Sequence, residues 1–195
     1  MRLCVLRSGG DYGPKHVQWL AKQVPGLVCL SDVPIEGVET IPLLHDWPGW
    51  WAKIEMFRPD IEGDILYFDL DTVVTGSLGG FEGHDRSIML TDFYYPARPG
   101  SGLMYINQDD KVKVWAEWIA GPSAHMARCN TREHWGDQGF LRDVLPCDRW
   151  QDVLPGQIVS YKAHCRNGLP KGANVVCFHG HPRPWQVTAN WIPTL

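Results

Sequence analysis

The run Asp64-Ile65-Leu66-Tyr67-Phe68-Asp69-Leu70-Asp71 constrains this chain more than any other stretch. Four apolar residues lead straight into two carboxylates spaced one residue apart. A short apolar run bounded in this way reads as a buried strand. A strand has period two, so Asp69 and Asp71 are expected on the same side of the chain as it leaves the sheet. Two carboxylates held that close repel each other, and a divalent cation between them relieves the repulsion. A cation at the end of a central strand is a place to hold phosphate.

Around this strand the pattern alternates. Leu3 to Leu6 reads as a first strand. The loop Ser8-Gly9-Gly10-Asp11-Tyr12-Gly13-Pro14 follows, where glycines let backbone approach a ligand. Pro14 to Val24 has helical spacing and opens on proline, which suits a first helical position. Leu27 to Leu30 and Gly37 to Leu44 read as strands, and Trp50 to Phe57 as a helix ended before Pro59. Ser87 to Leu90 and Leu103 to Ile106 are further strands, Asp109 to Ile119 and Trp135 to Leu145 helices, and Asn174 to Phe178 a last core strand. Alternation of this kind predicts an α/β fold with a mostly parallel central sheet covered by helices on both faces. The 195 residues suffice for one domain, 1–195, with a real core.

Composition removes several classes. A net charge of −4 offers no basic surface for nucleic acid. No apolar run approaches the length of a transmembrane segment, and the N-terminal stretch is too short for a signal peptide. The six cysteines show neither a paired framework nor a CxxC zinc pattern. Free thiols in a reducing compartment follow, and with them a cytoplasmic location. Ten tryptophans are unusual. Most are expected in the core, but Trp47-Pro-Gly-Trp50-Trp51 is the best candidate for a surface platform that stacks on sugar rings or bases.

The acidic pair alone fits two chemistries. Asp-x-Asp after an apolar strand also opens the haloacid-dehalogenase phosphatases, where Asp69 would be the nucleophile. Those enzymes place the motif on the first core strand, whereas at least two strands and two helices precede it here. Further segments shift the balance: Trp50-Trp-Ala-Lys53 before the pair, and Gly100-Ser101-Gly102-Leu-Met-Tyr-Ile-Asn107 after it. His134-Trp-Gly-Asp137-Gln138-Gly139 and Phe178-His179-Gly180-His-Pro-Arg183-Pro-Trp185 complete the set. In this order the set resembles glycosyltransferase family 8, the glycogenin and lipopolysaccharide galactosyltransferase family, over most of the chain from Leu3 to Trp185.

The resemblance implies a Rossmann-like GT-A fold. It also implies a nucleoside-diphosphate sugar donor, usually a UDP-sugar, a divalent cation, Mn2+ or Mg2+, and transfer with retention. By this resemblance Asp69 and Asp71 hold the metal, and Asp11 and Tyr12 hold the nucleotide base in the loop that begins at Ser8. Lys53 reaches the donor. Ser101 and Gly102 form the turn beside the donor sugar. Asp137 and Gln138 lie near the reaction centre, and Arg183, with Gly180 in the same segment, contacts the diphosphate. The family's third metal ligand is a histidine, and Cys177 stands at its position. His179 lies two residues on and has the ligand type that manganese prefers, so it is the expected third ligand.

Electrostatics supports these roles independently. Negative charge grows on a departing diphosphate, a divalent cation stabilises it as a Lewis acid, and arginine adds a planar bidentate donor. The positive charge developing on the sugar calls for a carboxylate or amide oxygen, which Asp137 or Gln138 offers. A non-catalytic nucleotide-sugar-binding protein remains open beside the transferase and the phosphatase. The acceptor, whether glycan, lipid-linked sugar, protein or small molecule, is not specified by the sequence.

Overall fold

Strands β1 (Arg2–Leu6), β2 (Leu27–Ser31) and β3 (Glu39–Pro42) pair in parallel, and β4 (Ile65–Phe68) joins the other edge of β1, also in parallel. The computed structural model describes all of residues 1–195. Beyond β4 lie β7 (Pro99–Ile106), antiparallel to its neighbours, then β6 (Ile88–Thr91) and the two-residue β8 (Asp148–Arg149). The order β3-β2-β1-β4-β7-β6-β8 makes a seven-stranded, mostly parallel sheet.

β4 lies at the centre of this sheet, and all four of its residues are buried. Leu66 and Phe68 face one core together with Cys4, Leu6 and the helix α1 (Pro14–Ala21), through Trp19 and Leu20. Ile65 and Tyr67 face a second core. It holds Ile54 and Phe57, Trp118 of α2 (Gln108–Ile119) and Phe140 of α4 (Gly136–Val144). Burial on both faces explains why the run before Asp69 is uninterrupted by polar residues. Between α2 and α4 lies the short helix α3 (Pro122–Arg128). No helix is long and apolar enough to cross a membrane.

The structure departs from the sequence reading in three places. Residues Gly49–Phe57 form a 3-10 helix rather than an α-helix, closed by the Arg58 N–H donating to the Glu55 carbonyl at 3.1 Å. Every residue from Trp51 to Phe57 is buried, so no polar face exists to reward a regular 3.6-residue period. Next, the expected last core strand is β10 (Val175–Cys177), and it leaves the main sheet. It sits between β5 (Thr72–Val74) and β9 (Ile158–Ser160) in a separate three-stranded sheet. Finally, the short helices α3, α5 (Trp150–Val153) and α6 (Tyr161–His164) were not anticipated, being too brief to show a period.

The small sheet decides where the last motif lies. The chain passes from β4 to β5 through a tight turn in which the Thr72 N–H donates to the Asp69 carbonyl at 3.1 Å. β10 then pairs antiparallel with β5, with Cys177 opposite Thr72. Residues 178–183 therefore emerge beside Asp71.

The 3-10 helix is fixed by a buried ion pair. Glu55 accepts the backbone N–H groups of Leu44 and His45 at 2.7 and 3.0 Å and pairs with Arg58 at 2.6 Å. Both side chains are almost fully buried, whereas the Asp60 side chain that also meets Arg58 is 59% exposed. Glu55→Ala leaves the Arg58 charge buried without its inner partner and is expected to cost about 3–5 kcal/mol. Asp60→Ala is expected to cost less than about 1 kcal/mol. Urea denaturation midpoints of the two variants check the contrast.

Candidate active site

A cavity of about 620 Å³ opens at the ends of β1, β4 and β7, within the usual range for a small-molecule site. It gathers residues that are distant in sequence. The loop after β1 supplies Asp11 and Tyr12, the 3-10 helix Lys53, and the β4–β5 turn Asp69 and Asp71. β7 supplies Ser101 and Gly102, the start of α4 Asp137 and Gln138, and the segment after β10 supplies His179, Gly180 and Arg183.

Lys53 sits at the floor. Its ammonium lies 3.0 Å from Asp69 Oδ1 and 3.0 Å from Asp137 Oδ2, and contacts Ser101 Oγ at 3.2 Å. The Ser101 hydroxyl donates to Asp137 at 2.6 Å. Burial opposes the charge on Lys53, but Asp137 and Asp69 outweigh it and hold the ammonium above the usual lysine range. Lys53 is therefore a buried, paired cation and not a solvated surface residue. Tyr67, buried in β4, donates its hydroxyl to Asp69 at 2.7 Å.

Asp71 forms the second cluster. It accepts the Tyr12 hydroxyl at 3.0 Å and pairs with Arg183. The Arg183 guanidinium lies 4.9 Å from the Tyr12 ring centroid and 3.7 Å from Asp11. Tyr12 is held edge-on against His16 and Trp185. Burial and then repulsion from Asp69 push the Asp71 carboxyl up to about 7, against the pull of Arg183 and Tyr12. Arg183 Nε is buried without a hydrogen-bond partner, an unspent donor beside the acidic pair.

The carboxylates suit a divalent cation. Lys53, Tyr67, Tyr12 and Arg183 engage one oxygen of each, leaving Asp69 Oδ2 and Asp71 Oδ1 without a protein donor. Gly102 makes room for the free oxygen of Asp69, since a Cβ there would come within 3.2 Å of it. Two hard oxygen donors are what Mg2+ takes from protein when the remaining positions go to phosphate and water.

The expected third ligand is not assembled with them. His179 Nε2 lies 2.7 Å from Ser160 Oγ, and its ring stacks on Phe93. Burial, and then Lys162, lower its pKa and keep the ring neutral. No group of three His, Cys, Asp or Glu side chains is arranged to hold a metal. Strand pairing ends at Cys177, so the alternation that would return residue 179 to the side of Cys177 stops there. Cys177 is the residue beside the pair. Burial first, and then Asp71 and Asp69, raise its thiol far above the usual range.

Other residues behave as follows. Ser8 does not line the cavity: its N–H and hydroxyl both go to Asp32, at 2.8 and 2.6 Å, and brace the loop. Tyr12 faces the acidic pair instead of presenting a free ring for a base. Tyr67 and Asp32 escape sequence reasoning. In β4 Tyr67 looks like one more apolar residue, and Asp32 becomes relevant only once β2 is known to lie next to β1.

No model of a known protein family matches the sequence, and no curated protein matches it. Solved structures do match in fold. The chain is similar to the glycosyltransferase GlyE of Streptococcus pneumoniae TIGR4, with a TM-score of 0.63 and 15% identity over 94% of this chain and 55% of GlyE. It is similar to the galactosyltransferase LgtC in complex with donor and acceptor sugar analogs, with a TM-score of 0.58 and 13% identity over 94% of this chain and 88% of LgtC. WbbM, a bifunctional glycosyltransferase, gives 0.60 and 12% over 94% of this chain and 46% of its own. The chain thus adopts the GT-A fold and spans about half the length of GlyE.

Asp71 yields a pH prediction. Its carboxyl is raised in the folded protein, so its contribution to stability is fully present at low pH and is lost as pH rises through about 7. Asp71→Asn imitates the protonated side chain. The melting temperature of the cation-free variant is therefore expected to gain on wild type between the usual carboxylate range and about pH 7. A pH series of thermal melts in chelator checks this.

Proposed function

We propose that the protein transfers a sugar from a nucleoside-diphosphate sugar, UDP-linked by the sequence resemblance, to an acceptor hydroxyl. Retention of anomeric configuration is part of the proposal. The observation that carries it is the meeting, in one cavity, of a hard carboxylate pair, Arg183 with an unspent buried N–H, and the Lys53-anchored Asp137 next to Gln138. The GT-A fold supports the same reading, and LgtC of that fold has been solved with donor and acceptor sugar analogs.

In this reading Asp69 and Asp71 hold a divalent cation, Mn2+ or Mg2+, which supplies Lewis-acid stabilisation to the departing diphosphate. Arg183 donates to diphosphate oxygens from the other side. Its pairing with Asp71 and its seat over Tyr12 orient the guanidinium before the donor arrives, so little order has to be created on binding. Lys53 and Ser101 hold Asp137 beside the donor sugar, where an acidic oxygen favours the developing oxocarbenium character. These same partners make it a weak nucleophile. Gln138 offers an uncharged amide oxygen at the same end of α4. The bond from the anomeric carbon to the phosphate oxygen breaks, a bond to the acceptor oxygen forms, and the acceptor proton passes to the departing diphosphate.

The phosphatase alternative places its nucleophile on the first core strand, whereas β4 follows β1, β2 and β3 in the chain. Calorimetric titration tests the transferase. UDP binding should tighten on adding Mn2+, and Asp71→Ala should remove that gain. Arg183→Ala should weaken UDP by about tenfold to a hundredfold, as expected for a charge-assisted contact, and uridine far less. Cation-independent UDP binding in wild type, or equal losses for UDP and uridine, contradicts the model. Tight UDP binding with no UDP-sugar hydrolysis or transfer would instead identify a nucleotide-sugar-binding protein.

A further inference from the structure

Of the ten tryptophans, only Trp50 and Trp135 are exposed, each at 49%. Both line the cavity. Their ring centroids lie 5.7 Å apart with planes inclined at 44°. Of the other aromatics lining the cavity, Phe93 has a face stacked on His179, and Tyr94, itself 57% exposed, meets His179 edge-on. Two half-exposed indoles side by side at the mouth of one cavity leave apolar surface in water that a stable fold would otherwise bury.

The pair is built into the backbone. Gly136 has φ +60°, a conformation that favours glycine, and a Cβ there would come within 2.7 Å of Trp50 Nε1. Only glycine lets the Trp50 ring lie against the start of α4. The elements that form the platform also carry the reaction groups. Trp50 precedes Lys53 by one turn of the 3-10 helix, and Trp135 precedes Asp137 and Gln138 by two and three residues.

We propose that Trp50 and Trp135 form the acceptor subsite and that the acceptor presents a pyranose ring to them. This deepens the proposed transferase reading and rests on it. A pyranose offers a flat face of C–H bonds for the indoles and a rim of hydroxyls for polar partners. Gln138 and Arg7, both lining the cavity, supply hydrogen-bonding groups around that rim. A ring stacked on the indoles brings its hydroxyls to the end of the cavity where Asp137 and Gln138 stand, which is where the anomeric carbon must lie for transfer.

Fluorine NMR of protein labelled with 5-fluorotryptophan tests this, with the two resonances assigned through Trp50→Phe and Trp135→Phe. The probes are the methyl β-glycosides of glucose, galactose, mannose and N-acetylglucosamine, titrated with UDP and Mg2+ present. At least one glycoside should shift both resonances saturably. Trp50→Ala should weaken that glycoside by about tenfold or more, the loss typical of a truncated aromatic anchor, while Trp50→Phe retains much of the binding. The inference is overturned if no glycoside moves either resonance. It is equally overturned if a serine- or tyrosine-containing peptide moves both and no glycoside does. UDP affinity, measured on the same sample, separates the two levels. Failure of UDP to bind contradicts the donor reading, whereas normal UDP binding with silent tryptophans contradicts only the acceptor subsite.

Discussion

One buried ammonium holds this cavity together. Lys53 lies 3.0 Å from each of two carboxylates, Asp69 at the end of β4 and Asp137 at the start of α4. Without it, the buried Asp137 would lose its counter-charge and face Asp69, whose side chain is 37% exposed. Removing one partner from such a cluster leaves an uncompensated buried charge, a loss of about 3–5 kcal/mol. With Lys53 present, the 3-10 helix, the central strand and α4 are tied at one point, and Ser101 of β7 joins them through Asp137. Lys53 engages Asp69 through Oδ1 and so leaves its other oxygen free.

The second organising contact comes from the opposite end of the chain. β10 abandons the main sheet and pairs with β5, which delivers Arg183 to Asp71 across 112 residues of sequence. The acidic pair is thereby divided. Asp69 belongs to the lysine and Asp71 to the arginine and Tyr12, and each keeps one oxygen free. The sharing reconciles two needs. Without a bound cation the carboxylates are partly neutralised by the protein, and with one they still offer two hard donors.

Much of this was legible in the residues. The apolar run into Asp69 identified the central strand because burial on both faces leaves a continuous apolar signature. The two carboxylates stand out in the sequence because they close an apolar strand one residue apart, whereas Lys53, Asp137 and Arg183 are singled out only through the family resemblance. What was not legible depended on partners distant in sequence. Tyr67 reads as one more core aromatic until Asp69 is seen to take its hydroxyl. The separate three-stranded sheet is made of strands three residues long, too short for a period. His179 was assigned by extending strand alternation past Cys177, and the strand stops there. Of the expected platform Trp47-Pro-Gly-Trp50-Trp51, Trp51 is buried, Trp47 packs on His45 and Trp118, and only Trp50 is exposed; Trp135, beside it, is joined to it only through the fold.

The central claim is that the free oxygens of Asp69 and Asp71 share a divalent cation with the diphosphate of a sugar nucleotide while Arg183 holds the other side. A crystal structure of the protein with UDP and Mn2+, with the metal located by its anomalous scattering, tests it directly. The account predicts one metal peak at Asp69 and Asp71 beside the diphosphate, with Arg183 on the diphosphate and His179 still turned to Ser160. UDP bound elsewhere, or bound in the cavity with no metal between its phosphates and the acidic pair, would contradict it.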